Sequence, residues 1–262
     1  MDKPIANSGW TIMKSIKFLF IYGILSLLIQ IPLYILEVNS FSFYPIIEIL
    51  VFLYLLKKLY LEKNNQILVD KIPTIMGVIS LVLLVLSYKL IYNNSIALLI
   101  EKYIIFDFID MESVYLQLLN DQVHFFLSVV ILAPIVEEII FREIILNKFL
   151  LKYSVKKAII ASSILFSIIH ISIFSMINAL FLGIIFGYIY YRYKTIILCI
   201  LLHSVANMIV FLKIFILKTD NTFLLHGNNI VINEYINVIL GIIFGIFAII
   251  ILNNKKIVRR FQ

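Results

Sequence analysis

Apolar residues are grouped along this chain into long blocks, and short polar or basic segments separate the blocks. A helix needs about 20 predominantly apolar residues to cross the hydrocarbon core of a bilayer. The pattern therefore predicts an all-α, polytopic integral membrane protein with about eight transmembrane helices. The predicted spans are residues 15–36, 41–56, 72–92, 123–150, 158–173, 174–191, 195–217 and 235–252.

Residues 93–122 interrupt this pattern, because they carry five acidic side chains and a single lysine. Their apolar part, 96–109, would extend only about 21 Å as a helix, which is less than a hydrocarbon core of about 30 Å. We predict an interfacial helix or a lid over the membrane surface here rather than a span.

Composition and charge agree with a membrane location. The 262 residues are 63% hydrophobic, with a mean hydropathy of +1.06 and a formal charge of +7. With eight spans, 17 of the 22 Lys and Arg residues fall on one side of the membrane and four on the other. Because cytoplasmic loops carry the basic excess, we predict a multi-pass cell-membrane protein with both termini cytoplasmic. The charge requires no nucleic-acid partner, and a single cysteine, Cys199, excludes an internal disulfide framework.

The block 123–150 contains charged residues that are costly inside a membrane. Glu137, Glu138 and Arg142 interrupt its apolar sequence, and a charge near the bilayer centre costs at least about 2.5–3.5 kcal/mol. Glu138 and Arg142 are four residues apart, so they share a helix face and can form an ion pair. Glu137 points elsewhere and has no evident cation, which makes it the candidate functional carboxylate.

Two other blocks carry polar side chains at a similar depth. Counted from the cytoplasmic helix ends at about 1.5 Å per residue, Glu137 lies roughly 16 Å deep and His170 roughly 20 Å. On the same scale, His203 lies roughly 12 Å deep and Asn207 roughly 18 Å. Four polar groups from three spans are therefore predicted to meet in one slab of the membrane.

A carboxylate, two histidines and an amide in a largely dry site suit peptide hydrolysis by an activated water molecule. Glu137 is the predicted general base, and His170 is predicted to hold the water against it. His203 and Asn207 are one helical turn apart, so both can donate hydrogen bonds to one developing oxyanion. Taken singly, Asn207 is more often a link between helices, and His170 can be a buried structural histidine.

Three further features have simpler explanations. Glu143 is expected to reach Lys148 or solvent. Gly183 and Gly187 have the spacing that lets two helices pack closely. Glu48, inside the second block, has no assigned role.

The three motifs together resemble those of a known family. They are Glu-Glu-x-x-x-Arg at 137–142, Phe-x-x-x-His at 166–170 and His-x-x-x-Asn at 203–207. They resemble the CAAX protease and bacteriocin-processing family, also called the Abi family, whose members are polytopic intramembrane proteases and include the type II CAAX prenyl endopeptidase. The resemblance covers about 123–210, which we interpret as catalytic core spans, whereas 1–122 forms N-terminal helices of unknown role.

The resemblance implies the same catalytic roles for the carboxylate, the two histidines and the amide, and a structural role for the Glu138–Arg142 pair. Since every motif position is filled, it implies an active enzyme. It leaves metal dependence open. We favour a site without a metal or other cofactor, because His203 and Asn207 have an evident use without one.

Three alternatives remain. A zinc protease would use Glu137, His170 and His203 as ligands. A non-catalytic bacteriocin-immunity or scaffold protein would use the same residues only for binding, and a transporter would use the carboxylate in a proton path. The expected partners are a peptide or membrane-protein substrate and the lipid bilayer. Residues 1–262 are expected to form one membrane domain.

Overall fold

The described part of the chain consists mainly of helices, as the apolar blocks predict. The computed structural model describes residues 9–35, 50, 71–103, 122–170, 172–219, 230–253 and 258–260. Five regular helices lie in these ranges: α1 (Ile12–Ile35), α4 (Val155–Ile168), α5 (Ile173–Tyr193), α6 (Ile196–Thr219) and α7 (Ile230–Leu252).

Two longer helices contain π-helical turns. Helix α2 consists of Ile75–Ile91, the π-helical turn Tyr92–Ile96 and Ala97–Tyr103. Helix α3 consists of Gln122–Phe125, π-helical Phe126–Leu132, Ala133–Glu138, π-helical Ile139–Leu146 and Asn147–Leu150. Turns of this type are rare and often lie at functional sites.

Pro134 explains why α3 departs from regular α-helical geometry. Proline has no N–H, and its ring collides with the carbonyl four residues earlier. The segment before it widens, and the Ala133 N–H donates to the carbonyl of Ser128, five residues back. In this register, the carbonyl of Val129 would pair with residue 134, whose nitrogen cannot donate. The Val129 carbonyl is therefore available to another helix.

Three helical segments among the described residues are long and apolar enough to cross a membrane. They are Ile75–Ile100, Ile173–Tyr193 and Glu234–Leu252, and Ile196–Leu212 is a shorter apolar segment. The prediction of a helical membrane protein is confirmed to this extent, and eight spans are not established. The second predicted span, 41–56, lies outside the described residues except for Leu50.

The structure corrects two predicted boundaries around α2. The block predicted to begin at residue 72 begins with a strand, β1 (Lys71–Pro73), which pairs antiparallel with β2 (Val258–Arg260). Residues 93–103 continue α2 rather than starting a separate interfacial helix, and 104–121 lie outside the described residues. The helix continues through this polar sequence, in which the side chains of Asn94 and Ser95 donate hydrogen bonds to the carbonyls of Leu90 and Ile91.

The block 158–173 is also not one helix. Helix α4 ends at Ile168, and α5 begins at Ile173 after Ser172, whose hydroxyl accepts a hydrogen bond from the Ser175 N–H. This cap satisfies a donor at the start of α5, as a capping serine does. His170 therefore lies in the turn between the two helices.

Glycines allow α4 and α5 to pack closely. A Cβ added at Gly183 would lie 3.0 Å from the Cβ of Ser163, and one at Gly187 would lie 3.1 Å from Ile159. The packing interpretation of these two glycines is confirmed. The same spacing recurs at Gly241 and Gly245, where α7 contacts α2.

The core lies where α3, α4, α5 and α6 meet. Its fully buried side chains include Phe141 and Phe149 from α3, Phe166 from α4, Phe186 from α5 and Leu202 from α6. Aromatic rings from three helices thus surround the motif residues.

Candidate active site

Glu138 and Arg142 lie on the buried face of α3 at the spacing that brings helical side chains together. Arg142 Nε is 3.0 Å from Glu138 Oε2, and neither side chain is more than 1% exposed. Since the N–H is not directed at that oxygen, the contact is an ion pair rather than a hydrogen bond. Each charge would be left alone in the protein interior without the other, which is strongly unfavourable.

Two phenylalanine rings complete the surroundings of the guanidinium. Its Cζ lies 4.7 Å from the ring centroid of Phe166 and 5.8 Å from that of Phe186. The two terminal nitrogens of Arg142 have no hydrogen-bond partner among the described residues. The negative faces of the rings attract a cation, and desolvation strengthens this attraction. The phenylalanine of the Phe-x-x-x-His motif therefore contacts the charged cluster as well as filling space.

His203 connects the two adjacent carboxylates. Its Nδ1 lies 2.9 Å from Glu138 Oε1, and its Nε2 lies 3.8 Å from Glu137 Oε2. An ionised carboxylate only accepts, so Nδ1 carries the proton of the shorter contact. Depth alone suggested that His203 lies near Glu137, but the sequence contains no signal for its contact with Glu138.

The same two rings hold the imidazole of His203 in place. Phe166 lies edge-on to it at a centroid distance of 5.9 Å, and Phe186 lies tilted at 5.5 Å. The imidazole is 5% exposed. Packing on both sides and the hydrogen bond to Glu138 therefore fix the direction of Nε2 toward Glu137.

Glu137 is the accessible member of the carboxylate pair. Its side chain is 26% exposed, and it lines a cavity of about 340 Å³ between α1 and α3. The other lining residues are Leu19, Tyr22, Gly23, Ser26 and Leu27 of α1, Ala133, Val136, Ile140 and Phe141 of α3, and Ile169. Glu137 therefore faces a cavity, whereas Glu138 is enclosed.

His170 is oriented by its own turn. Its Nδ1 lies 2.8 Å from the Phe166 carbonyl oxygen, so Nδ1 donates and Nε2 of the neutral ring has a free lone pair. Its backbone N–H donates to the carbonyl of Ser167 at 3.0 Å. The preceding residue, Ile169, lines the cavity that Glu137 also lines.

Asn207 contacts the irregular part of α3. Its Nδ2 donates a hydrogen bond of 2.9 Å to the Val129 carbonyl oxygen, the acceptor that Pro134 leaves available. Asn207 therefore links α6 to α3 in this structure. The amide carries two hydrogens, so a second one remains for another acceptor.

Glu143 is expected to reach Lys148 or solvent; in the structure it is partly exposed and bonded to a different partner. The Tyr190 hydroxyl donates to Glu143 Oε2 at 2.7 Å. The partner comes from α5, 47 residues away along the chain, so helix spacing gave no sign of it. At the end of α5, burial lowers the pKa of Lys194, and the Glu143 carboxylate opposes this shift.

The zinc alternative can be compared with this geometry. Among the described residues, no group of three or more His, Cys, Asp or Glu side chains is arranged to hold a metal ion. The contacts of His203 Nδ1 with Glu138 and of His170 Nδ1 with a carbonyl leave both Nε2 atoms without a bond that would prevent metal binding, so metal independence stays a prediction.

Apolar helices around a buried cluster of carboxylates, arginine and histidine define a helical membrane protein with an enclosed polar site. Residues 119–209, about a third of the chain, match the family model described as Type II CAAX prenyl endopeptidase Rce1-like. This match confirms the resemblance to the CAAX protease family found in the sequence and indicates a protease of the endopeptidase type. No curated protein and no solved structure matches the chain.

Proposed function

We propose that this protein is an intramembrane endopeptidase in which Glu137 activates a water molecule for attack on a peptide carbonyl. The observation that supports this most directly is the position of His203 between the two carboxylates, at 2.9 and 3.8 Å. Arg142 compensates the charge of Glu138, so Glu137 is the carboxylate that remains to take a proton. The match to an endopeptidase family supports the same reaction class.

In the first step, the water lies between the Glu137 carboxylate and the free Nε2 of His170. The Phe166 carbonyl holds the other nitrogen of His170, which leaves Nε2 to accept one hydrogen of the water. Glu137 takes the second hydrogen as the water oxygen bonds to the carbonyl carbon. The product of this step is a tetrahedral oxyanion.

His203 and Asn207 stabilise that oxyanion. Protonated on both nitrogens, His203 donates from Nδ1 to Glu138 and from Nε2 to the oxyanion. The second amide hydrogen of Asn207 supplies another donor, while the first stays on Val129. Donors held in place by the protein need no reorganisation when the charge develops. Glu138 thus orients a histidine, as the buried carboxylate of a Ser-His-Asp triad does.

In the second step, the intermediate collapses and the carbon–nitrogen bond breaks. Glu137 returns its proton to the leaving amine nitrogen, so the products are one new carboxyl terminus and one new amino terminus. Water supplies all the atoms added. No covalent enzyme intermediate is required.

The proposed substrate is an apolar peptide precursor, such as that of a pheromone or bacteriocin, or the tail of a membrane protein. The apolar lining around Glu137 supports this class. We place the protein in the cell membrane with several spans and both termini cytoplasmic, because basic residues are concentrated on that side.

Purified protein treated for long periods with a chelator tests the metal-free reaction. Peptide cleavage should continue at the untreated rate, and elemental analysis should find much less than one zinc per chain. A requirement for one zinc per chain, with activity restored only by adding it back, would contradict the proposal and assign Glu137, His170 and His203 as ligands.

Complementation of a deletion strain separates an enzyme from an immunity or scaffold protein. A binding protein should still function with Glu137→Gln, since the amide keeps the shape of the side chain. An enzyme should not. Peptides that accumulate uncleaved in the deletion strain, identified by mass spectrometry, would name the substrate.

A further inference from the structure

The cavity beside Glu137 has a second wall that no motif contains. Leu19, Gly23, Ser26 and other lining residues recur every three or four positions on α1, so they share one face of the helix. The opposite face is apolar and exposed, as expected for contact with lipid. It includes Phe20, Ile21, Ile24, Leu28 and Ile31.

Ser26 is the unexplained polar residue of this wall. It is only 8% exposed, and its hydroxyl has no hydrogen-bond partner among the described residues. Most other helical serines among the described residues bond a carbonyl, often the one four residues earlier, as Ser80 does with Met76 at 2.7 Å, and Ser128 is an exception like Ser26. Native proteins rarely leave a buried hydroxyl unpaired, so Ser26 requires an explanation.

Gly23 leaves open space one turn before Ser26. A Cβ built on Gly23 would have no atom within 4 Å, whereas one on Gly183 would meet Ser163 at 3.0 Å. Gly23 is therefore not required for helix packing. A glycine without a packing role in the interior of a helix lowers helix stability. At this position it widens the cavity opposite Glu137.

We propose that this cavity binds the part of the peptide substrate next to the scissile bond, with an apolar side chain against Gly23 and a backbone group hydrogen-bonded to Ser26. This inference rests on the proposed function. A volume of about 340 Å³ lies at the lower end of the roughly 300–1,000 Å³ typical of ligand pockets. Ser26 is thus a substrate-binding residue, on a helix outside the matched segment.

A peptide fits this cavity better than a lipid chain does. A substrate must leave helical geometry around the bond to be cut, which exposes backbone N–H and C=O groups inside the membrane. Such groups are costly there unless the protein satisfies them. The free Ser26 hydroxyl can satisfy one, whereas a hydrocarbon chain offers it nothing.

The role of Ser26 is tested by steady-state kinetics. The substrate is a peptide that the wild-type protein cleaves, taken from a synthetic library of apolar 12-residue peptides. Ser26→Ala should raise KM by about 2- to 10-fold, the usual effect of one hydrogen bond, without lowering the melting temperature, since no protein partner is lost. Ser26→Thr should restore KM. An unchanged KM, whether or not the melting temperature falls, would mean that Ser26 does not bind the substrate and would overturn the inference.

A bulky side chain at Gly23 tests the cavity itself. Gly23→Phe should raise KM by more than Ser26→Ala does, because it fills the space opposite Glu137. Ile24→Phe, on the exposed face of the same helix, is the matched control and should leave KM unchanged. Equal effects of the two variants, or none from Gly23→Phe, would show that the peptide binds elsewhere.

Thiol protection separates failure of this inference from failure of the proposed function. Cys199 is fully buried, so Gly23→Cys provides the reactive thiol and Ile24→Cys the control. Library peptides should slow alkylation of Gly23→Cys at least several-fold and leave Ile24→Cys unaffected.

Cleavage without protection would overturn only the cavity assignment. Protection by lipid acyl chains but by no peptide would make the cavity a lipid site. If the wild-type protein cleaves no peptide, the proposed function fails, and protection alone decides whether peptides bind here.

Discussion

Adjacent carboxylates on a helix point about 100° apart, and His203 is the residue that contacts both. Its ring presents one nitrogen to Glu138 and the other to Glu137. The two carboxylates are thereby given different surroundings, one enclosed and paired with Arg142, the other open to a cavity. A difference of this kind allows two identical side chains to have different chemical roles.

The ion pair leads to a prediction about Glu138→Gln. The amide oxygen can still accept from His203 Nδ1, but Arg142 loses its counter-charge inside the protein. Loss of one member of a buried pair costs about 3–5 kcal/mol, so the free energy of unfolding should fall by about this amount. The protein that still folds should remain catalytically active. Thermal unfolding in detergent measures this.

Glu143→Gln is the matched control, because an amide oxygen can still accept from Tyr190. It should leave the melting temperature nearly unchanged. A Glu138→Gln protein that is fully stable but inactive would mean that Glu138 takes part in the chemistry.

The motif residues themselves are visible in the sequence, because charged residues stand out within apolar blocks. Their partners are harder to predict. Helix spacing indicates Glu138 with Arg142, and the structure has this contact. The contacts of Glu138 with His203 and of Glu143 with Tyr190 join residues 65 and 47 positions apart. Such contacts depend on how the helices pack, which one sequence does not reveal.

At the scale of single helices, an irregularity in α3 has a role in the site. Pro134 removes a donor, the segment before it widens, and the released Val129 carbonyl accepts from Asn207. The irregular segment of α3 thus positions Asn207 of α6 by offering it a free carbonyl. The proline is plain in the sequence, but its effect on Asn207 depends on the register between α3 and α6.

The break between α4 and α5 is predicted between residues 173 and 174, too late in the chain, because apolar residues continue through the true break after Ile168. Polar residues mark the ends of the other helices, but here the apolar pattern continues through Ile169, Ile171 and Ile173. Ser172 was the available signal, since serine is favoured immediately before a helix. The break matters because it places His170 in a turn, where its ring bonds the Phe166 carbonyl near the end of α4.

Two glycines in apolar helices should respond in opposite ways to alanine. At Gly183, the new Cβ meets the Cβ and Cα of Ser163 at 3.0 and 3.1 Å, and overpacking costs about 1–3 kcal/mol. At Gly23 the space is open, so alanine gains helix propensity of up to about 1 kcal/mol. Gly183→Ala should therefore melt below the wild-type protein and Gly23→Ala at or above it. Equal melting temperatures would contradict the close α4–α5 packing.

For the whole molecule, composition predicts the membrane environment more reliably than it predicts the number of spans. Each helix of at least 14 residues among the described residues lies largely in a predicted apolar block, because lipid contact requires long apolar faces. It could not separate a spanning helix from α4, whose 14 residues reach only about 21 Å. Short apolar helices inside a bundle and membrane spans have the same composition.

The predicted orientation can be tested in intact cells. Asn65→Cys and Asn228→Cys lie in predicted loops on opposite sides, both outside the described residues, and buried Cys199 gives no background. An impermeant thiol reagent should label position 228 and not position 65, since the basic loop is predicted to be cytoplasmic. Labelling of position 65 from outside would overturn the eight-span orientation.

The central claim is that Glu137 is the general base, and the cleavage rate of Glu137→Gln tests it most directly. The amide keeps the shape of the side chain but cannot accept a proton from water, so kcat/KM for a cleaved peptide should fall to the uncatalysed background. Glu143→Gln, measured in parallel, should keep most of the wild-type rate. Folding of both proteins should be equal by thermal unfolding. A Glu137→Gln protein that folds and still cleaves the peptide at more than about a tenth of the wild-type rate would contradict the account, since loss of a general base costs about 10²–10⁴-fold.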